Sequence, residues 1–375
     1  MDFRRSDEQQ LIYNTASEIA REEFSDAAFT WEQEFPEPNL ETLAEQGLLG
    51  IGLPEEYGGG GYSVVEVLLA TEAVGRICPD TAHVLSRSSM GPPRVIAELG
   101  SEYLKERYLP GVCAGEDVLS VAISESEAGS DAGAMRTRAE YDGDEIVING
   151  SKMWVTKADR CTAFLVYARF PDDTIGAVVV DKDSDGLSLD DGSVNMAGHT
   201  QYEIRFDDVA VPDEQLLVHD EAAFKELLIE FNVERCHNAM MCVACGLCAF
   251  DKALEHAKNR EQFGQPIGEF QGIEWKLADM ATDLEAARLL IYRAAANARH
   301  SDPSRLETSM AKIKANEAGQ AVIDDAMQIH GAGGYMKDSP IEYLYRWVRG
   351  WKIAGGTVEI QRNMIARDLK KYGLD

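Results

Sequence analysis

The 375-residue sequence is poor in basic side chains and has no long apolar stretch. It contains 36 lysines and arginines against 65 aspartates and glutamates, which gives a formal net charge of −29. A chain this negative repels the phosphates of nucleic acid and of anionic lipid, so we expect neither as a partner. The longest nearly apolar run, 239–250, is shorter than the about 20 residues that cross a bilayer. The shortage of basic residues argues against a nucleic-acid-binding protein, and the lack of a long apolar run argues against a membrane-spanning protein.

The first residues are polar and include no apolar h-region, so we expect no signal peptide and a cytoplasmic location. The seven cysteines of such a chain are expected to be reduced thiols. Cys242, Cys245 and Cys248 repeat every three residues, which suggests either a metal site or a buried helix face. The run lies among Ala, Met, Val and Leu, and no fourth cysteine follows nearby. We therefore predict core packing and no metal.

The acidic excess is typical of proteins that remain soluble in high salt, where counter-ions screen self-repulsion. An acidic protein of an ordinary cytosol is the alternative. We predict a halophilic source.

The hydrophobic periodicity changes twice along the chain. Residues 1–116 have a helical period, residues 117–221 contain β-branched and aromatic runs, and the helical period returns in residues 222–375. In the middle segment, Asn149-Gly150 lies between two apolar runs, which is the pattern of a β-hairpin turn. This order predicts an α+β protein of three domains with those boundaries.

Four segments combine small residues with side chains that can bind a ligand. Each also has a plain structural explanation, as a turn, a core tryptophan, a helix connection or a helix C-cap. The segments are Ser124–Asp131, Trp154–Thr156, Arg260–Gln271 and Gln328–Tyr335. None of them is specific when taken alone.

Together these segments resemble the acyl-CoA dehydrogenase family over nearly the whole chain. Ser124–Asp131 is similar to the family signature T-E-x-x-x-G-S-D, with serine for threonine, and Lys152–Thr156 is similar to K-x-W-I-T. Arg260–Gln271 matches R-x-x-F-G-x-x-I-x-x-F-Q. Phe206–Pro212 resembles F-x-x-V-x-V-P, and Gly356–Ile360 resembles G-T-x-E-I. Motifs in family order and at family spacing make the resemblance specific.

The resemblance implies an N-terminal helical domain, a middle β-barrel or sandwich domain and a C-terminal four-helix bundle, with FAD as cofactor. It implies an oxidoreductase of fatty acid β-oxidation that forms dimers or homotetramers and passes electrons to electron-transfer flavoprotein. The residues that it places against FAD are Ile123, Ser124, Trp154, Thr156, Thr357 and Glu359, with Arg260, Phe263, Gln271, Gln328 and Gly331 meeting the FAD of a neighbouring subunit. The residues that it places near acyl-CoA are Ser130, Asn232, Arg235 and Gly356.

The position of the catalytic base distinguishes this sequence within the family. Many members carry a glutamate directly before the G-T pair near the C-terminus, where this chain has Gly355. Isovaleryl-CoA and long-chain acyl-CoA dehydrogenases place the glutamate before an arginine on a C-terminal-domain helix, which resembles Glu234-Arg235 here. A solvated surface pair is the alternative explanation of this dipeptide.

We predict that Glu234 removes the α proton of an acyl-CoA while the β carbon yields a hydride to the flavin, which forms the trans-2-enoyl-CoA. The thioester carbonyl gathers negative charge in this reaction and needs oriented donors. The resemblance implies that a backbone N–H of the C-terminal loop is one of them, and Gly355 keeps that N–H.

Other reactions on the same fold are alternatives: an enoyl-CoA reductase, an oxygen-using acyl-CoA oxidase, or a flavin-binding assembly protein without turnover. A relocated base favours the dehydrogenase, since a scaffold needs none. The acyl chain length and branching are left open. The residues that depart from those usual in relatives are Ala197, His199, Ala332 and Trp347.

Overall fold

The structure is a computed structural model that describes residues 4–298 and 304–374. Its N-terminal part is helical, as the periodicity predicts. The helices that precede the sheet are α1 (Asp7–Ile19), α2 (Glu37–Glu45), α3 (Val64–Gly75), α4 (Pro79–Met90), α5 (Pro92–Leu99) and α6 (Glu102–Ala114). The first of them starts with a reciprocal capping box, in which Ser6 and Gln9 each accept the backbone N–H of the other.

The middle part of the chain folds into one nine-stranded sheet. Its strands are β1 (Leu119–Ala122), β2 (Arg138–Asp142), β3 (Glu145–Thr156), β4 (Ala163–Arg169), β5 (Ile175–Asp181), β6 (Leu187–Leu189), β7 (Ser193–Val194), β8 (Thr200–Pro212) and β9 (Leu216–Val218). The strand order is β6-β8-β3-β2-β4-β5-β9, while β1 pairs in parallel with β4 and β7 pairs with β8.

Strand β4 is buried on both faces, which explains its uninterrupted run of apolar residues. Leu165 and Tyr167 join one hydrophobic cluster, whereas Phe164 and Val166 join another. Successive side chains of a strand point to opposite faces, so the two clusters lie on the two sides of the sheet. The sheet is therefore covered on both faces around its centre.

The hairpin turn predicted at Asn149-Gly150 is wrong. Both residues lie within the continuous strand β3, where a register shift against β8 between Ile148 and Gly150 forms a β-bulge. The hairpin of β2 and β3 turns instead at Gly143-Asp144, where Gly143 has a φ of +64°. The long pairing with β8 requires β3 to continue through Asn149, and the local sequence does not reveal that partner.

Long helices return after the sheet. These elements are α7 (Ala223–Asn259), β10 (Glu261–Gln262), β11 (Gln265–Pro266), α8 (Gln271–Asn297), α9 (Arg305–His330), α10 (Ala332–Tyr335), α11 (Pro340–Arg349) and α12 (Val358–Tyr372). The predicted α+β class, with helices before and after a β domain, is confirmed. The exact domain boundaries remain a prediction.

Helix α7 is buried on every side over its middle turns, because residues 239–245 have no exposed surface. Cys242 and Cys245 belong to this buried stretch, Cys248 one turn later is 2% exposed, and all three behave as small apolar residues. Helix α9 crosses it closely, since a Cβ on Gly319 would lie 2.6 Å from the carbonyl oxygen of Cys242. This approach is possible only for glycine, and it brings the polar residues one and two turns earlier on α9 towards α7.

The described chain forms two compact units. One consists of residues 4–31, 64–83 and 232–374, apart from 299–303, and the other of residues 32–63 and 84–231. We call them the helical unit and the sheet unit. No helix in the described ranges is long and apolar enough to cross a membrane.

Candidate active site

The predicted base lies on the part of α7 that belongs to the helical unit. Glu234 is half-buried, and the adjacent Arg235 is only 4% exposed. Burial, and to a smaller extent the positive charge of Arg305, lower the pKa of Arg235 to about 10. Arg235 donates to the side-chain oxygen of Asn232, while its Nε has no acceptor among the described residues. The alternative of a solvated Glu-Arg surface pair is therefore wrong.

The loop between α11 and α12 brings Gly355 next to this helix. Asn238 lies one helical turn after Glu234, and its amide nitrogen donates to the carbonyl of Ala354 at 3.4 Å. A Cβ on Gly355 would stand 3.6 Å from the same nitrogen. Gly355 and Gly356 have φ values of +65° and +82°, a region that favours glycine. The two positions that the family resemblance connects with a catalytic glutamate thus lie close together, one on α7 and the other in the loop.

In this loop, three carbonyl groups are bound by one lysine, whereas the N–H groups of the two glycines are open. The Nζ of Lys312 donates to the carbonyls of Trp351, Ala354 and Gly356 at 3.2, 2.9 and 2.8 Å. The N–H groups of Gly355 and Gly356 donate to no residue within the described ranges. Gly355 and Gly356 are half-buried, and two adjacent unused donors can bind a carbonyl oxygen that gains negative charge.

Two residues predicted to contact the cofactor lie where α12 begins. The hydroxyl of Thr357 accepts the N–H of Ile360 at 3.3 Å and so caps the helix. Hydrogen bonds from its own backbone N–H and from Thr357 lower the pKa of Glu359. Sequence reasoning missed Gln361 on the same helix, whose amide donates to the carbonyl of Gly356 at 3.1 Å. The helix start is therefore fixed to the glycine loop.

In the sheet unit, a buried ion pair fixes the segment that contains Ile123 and Ser124. The Nζ of Lys152 lies 2.7 Å from the carboxylate of Glu125 and 3.1 Å from the carbonyl of Ile123. The same carboxylate accepts the N–H groups of Arg136 and Thr137. Burial raises the pKa of Glu125, but the hydrogen bonds from Lys152 and Thr137 outweigh it, so the pKa lies below its ordinary value. The glutamate of the signature motif is thus structural, a role that the sequence did not indicate.

The sheet unit also presents a surface that suits a flavin ring. Trp154 is 61% exposed and has a φ of +64°, both unusual for a large apolar side chain. The hydroxyl of Thr156 donates to Gln201 at 3.2 Å, and the carbonyl of Ser124 accepts the N–H of Met153 at 2.8 Å. An aromatic ring system needs an apolar face to stack on and polar groups at its edge. The residues of this unit therefore fit FAD.

The segment Arg260–Gln271 is a small β-hairpin rather than a plain connection between helices. β10 pairs with β11, and the turn residues Phe263 and Gly264 have φ values of +53° and +84°. The ring of Phe263 is 96% exposed. An aromatic residue held at a strained backbone angle with its ring in solvent is arranged for a contact outside its own chain. This geometry supports the predicted contact with a neighbouring subunit, which remains a prediction.

Stacked histidines bring two of the predicted segments together in the helical unit. His256 accepts the N–H of Arg260 with its carbonyl, and its ring stacks on His330 at a centroid distance of 4.5 Å. His330 directly precedes Gly331, and the exposed Gln328 lies in the same last turn of α9. Arg260 and Gly331 therefore lie on the same side of this unit.

The predicted residues thus fall into three groups. The first, around the glycine loop, comprises Asn232, Glu234, Arg235, Gly355, Gly356, Thr357 and Glu359. The second, around the hairpin, comprises Arg260, Phe263, Gln271, Gln328 and Gly331. The third lies in the sheet unit and comprises Ile123, Ser124, Ser130, Trp154 and Thr156. An open cleft of about 590 Å³ in the sheet unit is lined by none of them, but by charged residues that include Arg136 and Arg205.

The departures from the family pattern have different structural settings. Ala197 and His199 belong to a turn in which both N–H groups donate to the side-chain oxygen of Asn195. Ala332 is exposed at the start of α10. Trp347 is buried, and its indole N–H donates to Asp80 at 3.4 Å.

Trp347 also belongs to an aromatic cluster that the sequence did not predict. Its ring lies 5.4 Å from that of Trp351 and 6.2 Å from that of His83, and His83 lies 5.3 Å from His237. Trp351 is part of the glycine loop, so the cluster packs directly behind it. The departure at position 347 therefore affects the packing close to the site.

Sequence models of three consecutive domains match the chain in order. The acyl-CoA dehydrogenase N-terminal domain matches residues 6–116, the middle domain residues 120–209, and the C-terminal domain residues 224–370.

Individual proteins are similar over nearly their full lengths. The chain is 36% identical over 378 residues to a 3-sulfinopropanoyl-CoA desulfinase of Paraburkholderia xenovorans, which covers 98% of this chain and 97% of that protein. It is 36% identical over 380 residues to the probable acyl-CoA dehydrogenase YngJ of Bacillus subtilis, with 99% and 100% covered. The glutaryl-CoA dehydrogenase structure in complex with glutaryl-CoA superposes with a TM-score of 0.93 at 30% identity, over 99% of this chain and 97% of that one.

Proposed function

The chain belongs to the acyl-CoA dehydrogenase family and is an FAD-dependent oxidoreductase of acyl-CoA, and from this premise we propose that Glu234 is its catalytic base. In the same proposal, the N–H groups of Gly355 and Gly356 bind the thioester carbonyl of the substrate. Lys312 and Asn238 hold the loop that carries these donors.

A single observation carries the proposal: Glu234 and the loop with the open pair of N–H groups are both neighbours of Asn238. Glu234 precedes Asn238 by one turn of α7, and the position of a Gly355 Cβ is 3.6 Å from the Asn238 amide. No carboxylate is available at Gly355 itself. A reaction at the α carbon of a thioester needs a base on one side and donors to the carbonyl oxygen on the other.

Each group then has a defined task. Bound FAD supplies the two-electron acceptor of the reaction. The N–H groups of the glycine loop polarise the thioester carbonyl and so acidify the α hydrogens. The carboxylate of Glu234, which is half-buried beside the buried Arg235, takes the α proton. The residues of the chain thus supply position, polarity and one proton acceptor.

Desulfination of a sulfinate-bearing acyl-CoA is the second candidate. The desulfinase relative is as similar to the chain as the probable dehydrogenase. The observation that favours this candidate is the buried guanidinium of Arg235, whose Nε has no acceptor among the described residues. Such a cation can bind an anionic group of a substrate.

The test uses anaerobic single-turnover bleaching of the flavin by a panel of acyl-CoA thioesters that includes 3-sulfinopropanoyl-CoA. We expect the Glu234→Gln variant to retain FAD and to bleach about 10²- to 10⁴-fold more slowly, as loss of a positioned base predicts. The control is Glu255→Gln, an exposed position on the same helix, which should bleach like the parent. Parental rates in Glu234→Gln would exclude Glu234 as the base. Sulfite release without bleaching would favour the second candidate.

We further propose electron-transfer flavoprotein as the acceptor and a homotetramer as the assembly. The support for an assembly is the set of exposed aromatic rings on the helical unit, notably Phe263, Trp275 and Tyr335. Light scattering of the holoenzyme would give the subunit number. Turnover with and without electron-transfer flavoprotein, compared with an artificial acceptor, would test the partner. The cytoplasmic location and the β-oxidation role also remain proposals.

A further inference from the structure

We propose that Lys312 is a positioning residue whose protonated ammonium holds the glycine loop in its donor geometry, so that loss of its proton releases the loop and stops catalysis. The effect on catalysis rests on the proposed function of the loop. The hydrogen bonds from Lys312 to the loop do not depend on that function.

The first observation is the convergence of three carbonyl groups on one ammonium. Lys312 has no exposed surface, and its Nζ lies 2.8–3.2 Å from the carbonyl oxygens of Trp351, Ala354 and Gly356. An ammonium has three protons and no acceptor, so these contacts use its full donor capacity. One side chain thereby fixes both ends of a six-residue segment.

The second observation is that few contacts determine the shape of the loop beyond the packing of Trp351 and two backbone hydrogen bonds to the carbonyl of Gly350. Gly355 and Gly356 both have positive φ values, and glycine is free to adopt many other backbone angles. The remaining side-chain hydrogen bonds are the one from Asn238 to Ala354 and those from Gln361 to Gly355 and Gly356, and all three are 3.1–3.4 Å long. They are longer than the shortest Lys312 bonds and involve neutral donors, which bind less strongly than an ammonium.

The third observation is the absence of a counter-charge. No carboxylate within the described ranges forms an ion pair with Lys312, although an unpaired buried cation is costly. Its neighbour on the same helix, Lys314, forms an ordinary pair with Asp283 at the surface. Carbonyl dipoles are the only partners of Lys312 in the described chain, so its charge serves the loop.

The charge of Lys312 is sensitive to pH in the range where the enzyme is assayed. Burial is the main reason that the pKa of Lys312 is lowered to about 8. Two titratable groups of α7 also act on it: Cys242 raises the pKa, whereas the positive charge of Arg235 lowers it. The Cys242 thiol, whose own pKa burial raises to about 12, is influenced in turn by Lys312 and Lys352. The ammonium is therefore present below about pH 8 and is lost above it. A neutral amine has one donor fewer and no charge, so it cannot hold all three carbonyls.

The experiment measures hydrogen–deuterium exchange of the peptide that covers residues 350–357 in the holoenzyme, from pH 6 to pH 10, after correction for the intrinsic rise of exchange with pH. The reporters are the amides of Ile353 and Ala354, whose N–H groups donate to the carbonyl of Gly350. In the parent we expect their protection to fall about tenfold or more between pH 7 and pH 9, because loss of the charge-assisted bonds from Lys312 releases the loop that holds them. In Lys312→Met, which preserves the length of the side chain, the same peptide should be unprotected at every pH. In the control Lys314→Met, it should behave as in the parent.

Kinetics provide the second measurement. The parental kcat should fall above about pH 8, whereas Lys312→Met should have a low kcat without this alkaline limb. Equal protection of residues 350–357 in Lys312→Met and the parent would overturn the proposal. If Lys312→Met does not fold, the parent protein alone provides the test. Protection of residues 350–357 that stays constant from pH 6 to pH 10 would then overturn the proposal. Absence of turnover with every acyl-CoA, combined with the expected exchange pattern, would refute the proposed function and leave the loop contact intact.

Discussion

The side-chain amide of Asn238 lies 3.6 Å from the position that a Cβ on Gly355 would occupy. This contact joins the middle of α7 to the loop before α12. It also joins the two places from which the family resemblance draws a catalytic glutamate, because Glu234 lies one turn before Asn238. A carboxylate at either place would therefore point to a common region.

Moving the glutamate from position 234 to position 355 should recover part of the activity that is lost when Glu234 is removed. We expect Glu234→Gly combined with Gly355→Glu to bleach the flavin faster than Glu234→Gly alone. Recovery should be incomplete, because a side chain at the positive φ of Gly355 costs roughly 1–2 kcal/mol. Glu234→Gly with Gly355→Ala is the control for this strain. If both double variants fold and bleach equally slowly, the two positions do not face the same carbon.

The buried pair of Lys152 and Glu125 should dominate the stability of the sheet unit. Lys152→Met would leave the carboxylate buried without its cation, which lowers the free energy of unfolding by about 3–5 kcal/mol. Lys105→Met removes a partner of the exposed Glu102 and should cost less than about 1 kcal/mol. Denaturant titration measures both, and equal small losses would contradict the prediction.

The same pair predicts the direction of acid denaturation. The pKa of Glu125 in the folded protein lies below the ordinary 4.5. Its stabilising contribution is therefore complete above about pH 4.5 and is lost as the pH falls through the lower folded pKa. Melting temperatures from pH 7 to pH 3 should fall less in Glu125→Gln than in the parent. A parallel fall would show that other carboxylates govern the acid limb.

Trp154 should contribute to flavin binding. The purified protein should be yellow, with about one FAD per chain. Trp154→Ala should weaken FAD binding by roughly two- to tenfold, which corresponds to the about 0.5–1.5 kcal/mol of a ring contact. Tyr103, another exposed aromatic residue of the sheet unit at 41%, is the control as Tyr103→Ala. FAD titration of the apoproteins measures both, and the same affinity in the two variants would speak against Trp154.

The acidic surface should make stability depend on salt. With a net charge of −29, repulsion grows when the screening length increases from about 3 Å at 1 M to about 10 Å at 0.1 M salt. We expect the melting temperature of the holoenzyme to rise steadily with potassium chloride concentration. A melting temperature that is independent of salt would leave the halophilic interpretation without support.

Local patterns determined much of this protein. The change from helical to β period and back follows from side-chain spacing alone, which is why the α+β class was predictable. The dipeptide Glu234-Arg235 and the glycine at position 355 could also be identified as candidate site residues, because both belong to continuous motifs. The surface-pair alternative was not resolvable from the sequence, since burial of Arg235 depends on the helices that pack around it.

Tertiary pairing decided the rest. Asn149-Gly150 has the local chemistry of a turn, but the strand partner β8 keeps it within β3, while Gly143-Asp144 makes the turn. The clearest case is the pair Lys312 and Lys314, which are two residues apart on α9 and chemically identical. One is fully buried beneath the glycine loop and the other pairs with Asp283 at the surface, because only one faces the crossing with α7. A helix sequence fixes the angle between two side chains, but the packing of helices determines which of them is inside.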